Sequence, residues 1–373
     1  MRVVFLGYQD IFGNVNNGGI QGSRRNYDLV SSFSEVFVAL LSNNNNQTSS
    51  PDNVKNFPML TKKIDVLFAA LGLRKWYSKW VEKEIVQYII DKKPDILFLD
   101  GSIFGSILTK IPNSIKSVVY FHNVEADYAL NKVKNEGVQY LPSYFASMYN
   151  EKQSAKLADC LVSLNLRDGR RIEELYKRNP DYYLPVSFYD RLDSSKIKRD
   201  STSRNLLFIG SLFAPNYHGI KWFVDKVMPR LEGFHLTIVG KDFEQKKEEL
   251  ESDCVSVIGT VDDLSEYYYT FSTLVMPIHY GAGMKVKTAE AMMYGATIFA
   301  TDEALEGYNV DAVRGIYRCN TEDEFVDSIN KAYLSGEIEI FAEEVRNVYL
   351  DNNNTERHMS AFKEKMEELV YDK

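Results

Sequence analysis

The segment 274–300 constrains the fold more than any other part of the chain. Residues 274–278 are an apolar run typical of a buried strand, and the run breaks at glycines 281 and 283. A helical pattern starts at once, ends near Gly295, and is followed by a second strand-like run at 297–300. The apolar positions of this helix are Met284, Ala289, Met292 and Met293. The segment therefore predicts one βαβ unit and, with it, a parallel sheet.

The start of this helix has the chemistry of an anion site. It places free backbone N–H groups and a partial positive charge at the carboxyl edge of the sheet. Lys285 and Lys287 lie in the first turn, where cations are unfavourable unless an anion is near. Glu290, about one turn on, could reach ribose hydroxyls. The pattern favours a nucleotide ligand; the alternative is a tight turn with two solvated lysines.

Strand and helix patterns alternate in both halves of the chain. Strands are predicted at 2–7, 36–41, 94–100, 117–122 and 159–164 in the first half, and the second half repeats the alternation from 205. The polar, charged stretch 191–204 is the predicted linker. The length of 373 residues suits two domains, predicted at 1–195 and 204–350. The segment 355–371 is predicted to be one amphipathic helix.

The run GxGxKxKxxEAM from Gly281, ending in Glu306 and Gly307, resembles the donor site of glycosyltransferase family four, a retaining family of the GT-B class. Segments 205–211, 214–229, 236–240 and 257–264 are similar to that family in the same order. The resemblance implies an α/β fold: GT-B, two Rossmann-like domains facing a cleft, with the helix within 355–373 packing back on the first domain. The donor-binding residues that it implies are Gly18, Gly19, Gly210, Ser211, Asn216, Gly240, Gly281, Gly283, Met284, Lys285, Lys287 and Glu290.

His122 ends an apolar strand pattern in the first half. A lone histidine at a strand end is more often structural than functional, but the resemblance implies that this one contacts the transferred sugar and is catalytic. Asn123 and Glu125 are weaker candidates for acceptor contacts. Gly18 and Gly19 follow the first strand without a GxGxxG fingerprint, which disfavours a nicotinamide enzyme.

Two features depart from the family pattern. Ala282 stands where many members carry the first of two glutamates, and Ser211 and Asn216 stand near the place of a missing arginine and lysine. We expect the two lysines after Gly283 to supply the phosphate charge and the protein to be active. The alternatives are a nucleotide-sugar epimerase on a similar fold and a non-catalytic partner subunit.

The basic residues are concentrated in the first half. Lysine and arginine outnumber aspartate and glutamate by 27 to 22 in residues 1–200, and the reverse holds by 30 to 17 in residues 201–373. Segment 58–85 interleaves aromatic residues with Lys62, Lys63, Arg74, Lys75, Lys79 and Lys83. With Trp76 and Trp80 on one helix face, it predicts peripheral contact with an anionic membrane. The alternative is a tryptophan face packed into its own domain.

The expected activity is transfer of a sugar from a nucleotide-sugar donor to a glycan, lipid-linked or protein acceptor, as in polysaccharide biosynthesis. Nothing in the sequence calls for a metal or a cofactor, and no nucleic-acid motif is present. The cysteines, Cys160, Cys254 and Cys319, have neither disulfide-framework nor metal-ligand spacing. A cytoplasmic location, at the inner face of the membrane if the basic segment binds there, is therefore expected.

Overall fold

Thirteen strands form two sheets in the described part of the chain, and every pairing within the sheets is parallel. The structure is a computed structural model that describes residues 1–13, 18–42, 53–281 and 284–371. The strands are β1 (Arg2–Gly7), β2 (Glu35–Ser42), β3 (Val54–Pro58), β4 (Ile96–Leu99), β5 (Lys116–Phe121), β6 (Cys160–Ser163), β7 (Tyr182–Tyr183), β8 (Asn205–Ile209), β9 (His235–Val239), β10 (Val255–Gly259), β11 (Thr273–Met276), β12 (Thr297–Ala300) and β13 (Ile316–Arg318). The central strands are buried on both faces, which explains their unbroken apolar runs.

Fifteen helices connect these strands in the described residues. They are α1 (Gly18–Ser31), α2 (Lys63–Leu71), α3 (Lys79–Lys92), α4 (Gly105–Leu108), α5 (Glu125–Glu136), α6 (Leu141–Leu157), α7 (Leu166–Tyr176), α8 (Ala214–Lys226), α9 (Lys247–Leu250), α10 (Ser265–Thr270), α11 (Val286–Met293), α12 (Asp302–Leu305), α13 (Glu322–Leu334), α14 (Glu343–Asn352) and α15 (Thr355–Tyr371). Several begin at a side-chain cap: Ser78 caps α3, Asn165 caps α7, and Thr321 with Glu324 forms a capping box on α13. None of the described helices is long and apolar enough to cross a membrane.

The first structural unit combines residues 1–185 with 355–373. Its strand order is β3-β2-β1-β4-β5-β6-β7, so the order reverses between β1 and β4. In open α/β sheets, ligands bind at the carboxyl edge beside such a reversal. Helix α15 packs on this unit through the fully buried Phe362, whose ring lies 6.4 Å from that of Phe33 and 6.3 Å from that of Phe98.

The second unit spans residues 186–354 and has the strand order β10-β9-β8-β11-β12-β13. Its reversal lies between β8 and β11. The βαβ unit predicted from segment 274–300 is confirmed as β11, α11 and β12. The helix ends where expected, because Gly295 follows it with a φ of 60°, which favours glycine.

The predicted linker, 191–204, lies within the second unit, whose first residue is Val186. The buried Arg199 guanidinium fixes this segment by donating hydrogen bonds of 2.6 to 2.9 Å to the backbone carbonyls of Tyr268, Tyr294 and Gly295. Burial lowers the pKa of Arg199 to about 10. The stretch has no apolar period because a charged side chain, rather than an apolar face, attaches it.

The prediction that Trp76 and Trp80 share a helix face is wrong. Helix α2 ends at Leu71, α3 starts at Lys79, and Trp76 between them has a positive φ of 65°. The Trp76 ring packs at 5.1 Å from the ring of Tyr8, whereas Trp80 is 62% exposed. Gly18 and Gly19, which follow the first strand in the sequence, belong to the first turn of α1.

Candidate functional site

At the carboxyl edge of the second sheet, glycines occupy the positions where neighbouring segments of the chain approach each other most closely. Gly240 follows β9 with a φ of 145°, and a Cβ atom on it would lie 1.9 Å from the carbonyl oxygen of Gly210. Gly210 follows β8, and a Cβ atom there would lie 3.0 Å from Asn216 Nδ2 and 3.1 Å from Lys287 Nζ. Side chains at these two positions would therefore fill the edge beside the strand reversal, and the glycines keep it open.

Asn216 connects the starts of the two helices that flank this reversal. It lies in the first turn of α8, and its side-chain NH₂ group donates to the Ser211 carbonyl at 2.9 Å. Its side-chain oxygen accepts a hydrogen bond from Lys287 Nζ in the first turn of α11. Four of the predicted donor-site residues, Gly210, Ser211, Asn216 and Lys287, are thus brought together.

The two lysines of α11 have different surroundings. Lys285 Nζ lies 2.6 Å from Glu303 Oε1 and forms an ion pair that is mostly buried. Lys287 has no carboxylate within 4 Å among the described residues, and it donates a hydrogen bond to the neutral side-chain amide of Asn216. Burial is the main cause that lowers the pKa of Lys287, and the positive charge of Lys285 lowers it further. The negative charge of Glu290 acts in the opposite direction, and the resulting pKa is about 7. An anion placed beside Lys287 would remove this penalty.

Glu290, the predicted ribose ligand, lies one turn further along α11. Its carboxylate accepts a hydrogen bond at 3.1 Å from Arg191, a residue of the predicted linker, and one at 3.5 Å from the Tyr268 hydroxyl. Burial raises the pKa of the Glu290 carboxyl, and Arg191 opposes the rise. Arg191 is itself more than half exposed, so a ligand can replace this contact without burying an unpaired guanidinium.

The remaining predicted residues of this edge lie around α11. Met284 is buried just before the helix, and Gly281 lies beside the ion pair of Lys285 and Glu303. A Cβ atom at Gly281 would lie 3.2 Å from Lys285 Cε. Gly283 and Ala282 are outside the described residues.

In the first unit, His122 follows β5 and forms a dyad with Asp100, which follows β4. His122 Nε2 lies 2.9 Å from Asp100 Oδ1, and the same oxygen accepts a hydrogen bond of 2.7 Å from Asn26 in α1. Asp100 is completely buried. Although burial opposes ionisation, the charge of His122 and the hydrogen bonds from His122, Ser23 and Asn26 hold the pKa of Asp100 below its ordinary value.

The dyad determines which nitrogen of His122 is available to a ligand. An ionised carboxylate only accepts hydrogen bonds, so Nε2 carries the proton that Asp100 accepts. In the neutral ring, Nδ1 is then the acceptor. Nδ1 lies beside α1 at Gly22, where a Cβ atom would lie 3.6 Å from it. A hydroxyl group of a ligand could therefore donate to Nδ1.

Asp100 was not among the predicted site residues. Its sequence signal is its place at the end of the predicted strand 94–100, because carboxyl ends of neighbouring parallel strands meet at one edge. The glycines of the first unit, Gly18 and Gly19, start α1 at that same edge.

Glu125 and Asn123, the weaker acceptor candidates, differ in their surroundings. Glu125 is buried and forms an ion pair with Lys75, which also lies 3.3 Å from Ser147 Oγ. Its carboxylate is therefore already partnered. The side-chain oxygen of Asn123 is buried and has no hydrogen-bond partner among the described residues, so it can still accept one.

Comparisons with known proteins support the fold described above. Residues 203–334 match the family Glycosyl transferases group 1. HepE from Anabaena, solved with UDP, covers 98% of this chain and 99% of its own at 11% identity and a TM-score of 0.70. Sucrose-phosphate synthase from Thermosynechococcus elongatus covers 100% of both chains at 13% identity and a TM-score of 0.74. The chain has the GT-B glycosyltransferase fold. A third GT-B structure, WaaG, a glycosyltransferase involved in lipopolysaccharide biosynthesis, covers 99% of both chains at 16% identity and a TM-score of 0.65.

No curated protein matches the chain. The predicted fold class and the resemblance to GT-B glycosyltransferases are confirmed by the two sheets, the matched family and these structures. In this GT-B chain, the matched segment 203–334 contains the complete edge formed by Gly210, Asn216, Lys287 and Glu290.

Proposed function

We propose that this protein transfers a sugar from a nucleotide-sugar donor to an acceptor hydroxyl with retention of the anomeric configuration, as a member of family four. The observation that carries the proposal is Lys287, an enclosed lysine at the start of α11 that has no carboxylate partner in the part of the chain that the structure describes. It lies beside a strand reversal, where anions bind in sheets of this kind. The departing nucleoside diphosphate is the anion that fits this reaction.

The donor contacts follow from the same edge. Backbone N–H groups at the start of α11 and Lys287 stabilise the charge that develops on the diphosphate as the glycosidic bond breaks. Glu290 exchanges Arg191 for the ribose hydroxyls. HepE was solved with UDP and with UDP-glucose, which makes UDP-sugars the first donors to test.

The proposed role of the first unit is to hold the transferred sugar and the acceptor. His122, oriented by Asp100, presents Nδ1 to a sugar hydroxyl. Asn123, the next residue, offers a side-chain oxygen that can accept a hydrogen bond. The acceptor is a glycan, a lipid-linked precursor or a protein. A lipid-linked acceptor would bring the enzyme into peripheral contact with a membrane, and the proposal includes no metal.

A thermal-shift screen across UDP-, GDP- and dTDP-sugars, followed by incubation of the best ligand with and without candidate acceptors, tests this function. We expect nucleoside diphosphate to be released much faster with an acceptor than without one, an α-linked product from an α-linked donor, and unchanged turnover in EDTA. Conversion of the donor to another nucleotide-sugar without any acceptor would instead identify an epimerase. Failure of every nucleotide-sugar to bind would favour a non-catalytic partner subunit.

A further inference from the structure

Helix α2 exposes its apolar side chains instead of burying them. These side chains recur at spacings of three and four residues and are between 39% and 66% exposed, whereas Ala69 and Ala70 are buried. Together they form the α2 ridge, which consists of Ile64, Leu67, Phe68 and Leu71. A soluble helix normally turns such a stripe towards the core, so the exposed ridge indicates an interaction surface.

The neighbouring helix extends this apolar surface. Helix α2 packs against α6, and the amide of Asn150 in α6 donates at 3.0 Å to the Leu73 carbonyl just after α2. At the start of α6, Leu141 and Phe145 are exposed, and Phe145 reaches 56%. The exposed apolar side chains thus lie on two packed helices of one unit and are not isolated surface residues.

Lysines stand at the start of α2 and of the next helix. Lys62 and Lys63 begin α2, where the helix dipole disfavours a cation. Lys79 and Lys83 lie in the first turns of α3, on either side of the exposed Trp80. None of these four ammonium groups has a carboxylate within 4 Å among the described residues, in contrast to Arg74 and Lys75, which pair with Glu82 and Glu125.

We propose that the α2 ridge inserts into the interfacial region of an anionic lipid bilayer, with Lys62, Lys63, Lys79 and Lys83 contacting lipid phosphates. An apolar helical stripe beside unpaired lysines is the composition of helices that lie in a membrane surface. A protein partner fits less well, because protein interfaces are depleted in lysine and enriched in arginine. The proposal rests on the proposed function in one respect: membrane binding would bring the enzyme to a lipid-linked acceptor.

The proposed membrane-binding surface includes only some residues of the basic segment 58–85. Lys75 is buried in its ion pair with Glu125, and Trp76 packs on Tyr8, so neither can reach lipid. The proposed binding determinants are the four exposed residues of the α2 ridge, Trp80 and the four lysines that have no carboxylate partner among the described residues. Substitution of Lys75 would test the stability of the fold rather than membrane attachment.

Co-sedimentation of the full chain with vesicles tests the proposal without any donor or acceptor. We expect binding to vesicles of phosphatidylcholine and phosphatidylglycerol in equal parts, little binding to phosphatidylcholine alone, and release as salt is raised. Lys62→Glu with Lys63→Glu should weaken binding about 30-fold, from about 1 kcal/mol for each lysine. Phe68→Ser with Leu71→Ser should weaken it at least about tenfold.

Matched variants in the second unit serve as controls. Leu334→Ser removes an apolar side chain that is 79% exposed, and Lys226→Glu with Lys331→Glu makes the same change of charge away from the ridge. Both should bind vesicles as the unchanged protein does. Circular dichroism and calorimetric UDP binding by every variant separate a failure of this proposal from misfolding and from a failure of the proposed function.

Two results would overturn the proposal. One is an unchanged protein that stays in the supernatant with anionic vesicles at low salt. The other is equal vesicle binding by the ridge variants and the controls. If light scattering showed a dimer that Phe68→Ser converts to a monomer, without vesicle binding by either form, the ridge would be an interface between two copies of this chain.

Discussion

The carboxyl edges of the two sheets differ in how their charges are partnered. In the first unit, the His122 ring is held by the Asp100 carboxylate, and Lys75 is neutralised by Glu125. In the second unit, the Lys287 ammonium has a neutral amide as its partner. The charged groups of the first edge are thus already partnered without a ligand, whereas Lys287 at the second edge has no carboxylate partner among the described residues. This difference supports the proposal that the first edge orients a neutral sugar and that the second edge binds the anion.

Replacement of His122 should have the largest effect on turnover. His122→Ala removes the hydrogen-bonding group that we place against the transferred sugar, and loss of one such group typically lowers kcat by about a hundredfold or more. UDP affinity should change less than about twofold, because the proposed nucleotide site lies in the other unit. Steady-state kinetics and calorimetry together measure both quantities. Wild-type turnover by the folded variant would make His122 a structural strand-end residue.

Glu290→Ala should weaken nucleotide binding most. Loss of a hydrogen bond to a charged group costs about 1.5–3 kcal/mol, or about ten- to a hundredfold in affinity. Because the ribose is the expected partner, uridine and UDP should lose affinity equally. Calorimetry with both ligands checks this, and Arg191→Ala is the matched control that removes the competing partner of Glu290. An unchanged dissociation constant for the folded Glu290 variant would refute the ribose assignment.

Lys287→Ala should weaken UDP binding about tenfold or more while leaving uridine binding nearly intact. Lys285→Ala is the comparison, because Lys285 already pairs with Glu303 and should contribute less to diphosphate binding. Competition of UDP and uridine against a fluorescent nucleotide would measure both variants. Equal losses for the two ligands in Lys287→Ala would show that this lysine only supports the fold of the edge.

Much of this architecture could be predicted from the sequence because it depends on local patterns. The unit β11, α11 and β12 follows from its apolar runs and from Gly295. The partners of the site residues could not be predicted in the same way. Asp100 lies 22 residues before His122, and Asn216 lies 71 residues before Lys287. Such pairs meet only because of the order of the strands in each sheet. The local patterns of a single sequence predict the strands but not their order.

Charge and aromatic content alone also gave the wrong geometry for segment 58–85. Lys75 and Arg74 count as basic residues, but their partners, Glu125 and Glu82, are distant or buried. The spacing of Trp76 and Trp80 predicts one helix face only if the helix is continuous. The positive φ at Trp76 interrupts it, and a non-glycine residue gives no clear sequence signal for such a conformation.

Replacement of Asp100 should lower turnover less than replacement of His122. Asp100→Asn keeps the shape but can no longer stabilise a proton on His122 Nε2 as a carboxylate does, so we expect about a tenfold loss of turnover and a shifted pH profile of kcat/KM. Asp95→Asn is the control, because Asp95 accepts a hydrogen bond from the Arg2 backbone at the opposite edge of the same sheet. An unshifted pH profile in Asp100→Asn would mean that Asp100 contributes to packing alone.

The smallest expected effect is the uptake of a proton by Lys287 when a diphosphate binds at the second edge. Without ligand, the pKa of Lys287 is about 7, below the ordinary value of 10.5. Between these values the unfolded chain binds the extra proton, so this lysine makes the free protein more stable as pH rises through that window. A bound diphosphate favours the charged lysine and raises its pKa. Binding above about pH 7 therefore takes up a proton, and UDP affinity should fall by at most about tenfold per pH unit.

Calorimetry at about pH 8.5 in buffers of different ionisation enthalpy measures this proton uptake directly. We expect close to one proton per UDP bound for the unchanged protein and close to none for Lys287→Met, which keeps the length of the side chain but cannot be charged. His122→Ala should retain the full uptake, because its ring belongs to the other edge. Proton uptake that persists in Lys287→Met would assign the linkage to another group, such as Lys285, and would remove the difference in charge that distinguishes the second edge from the first.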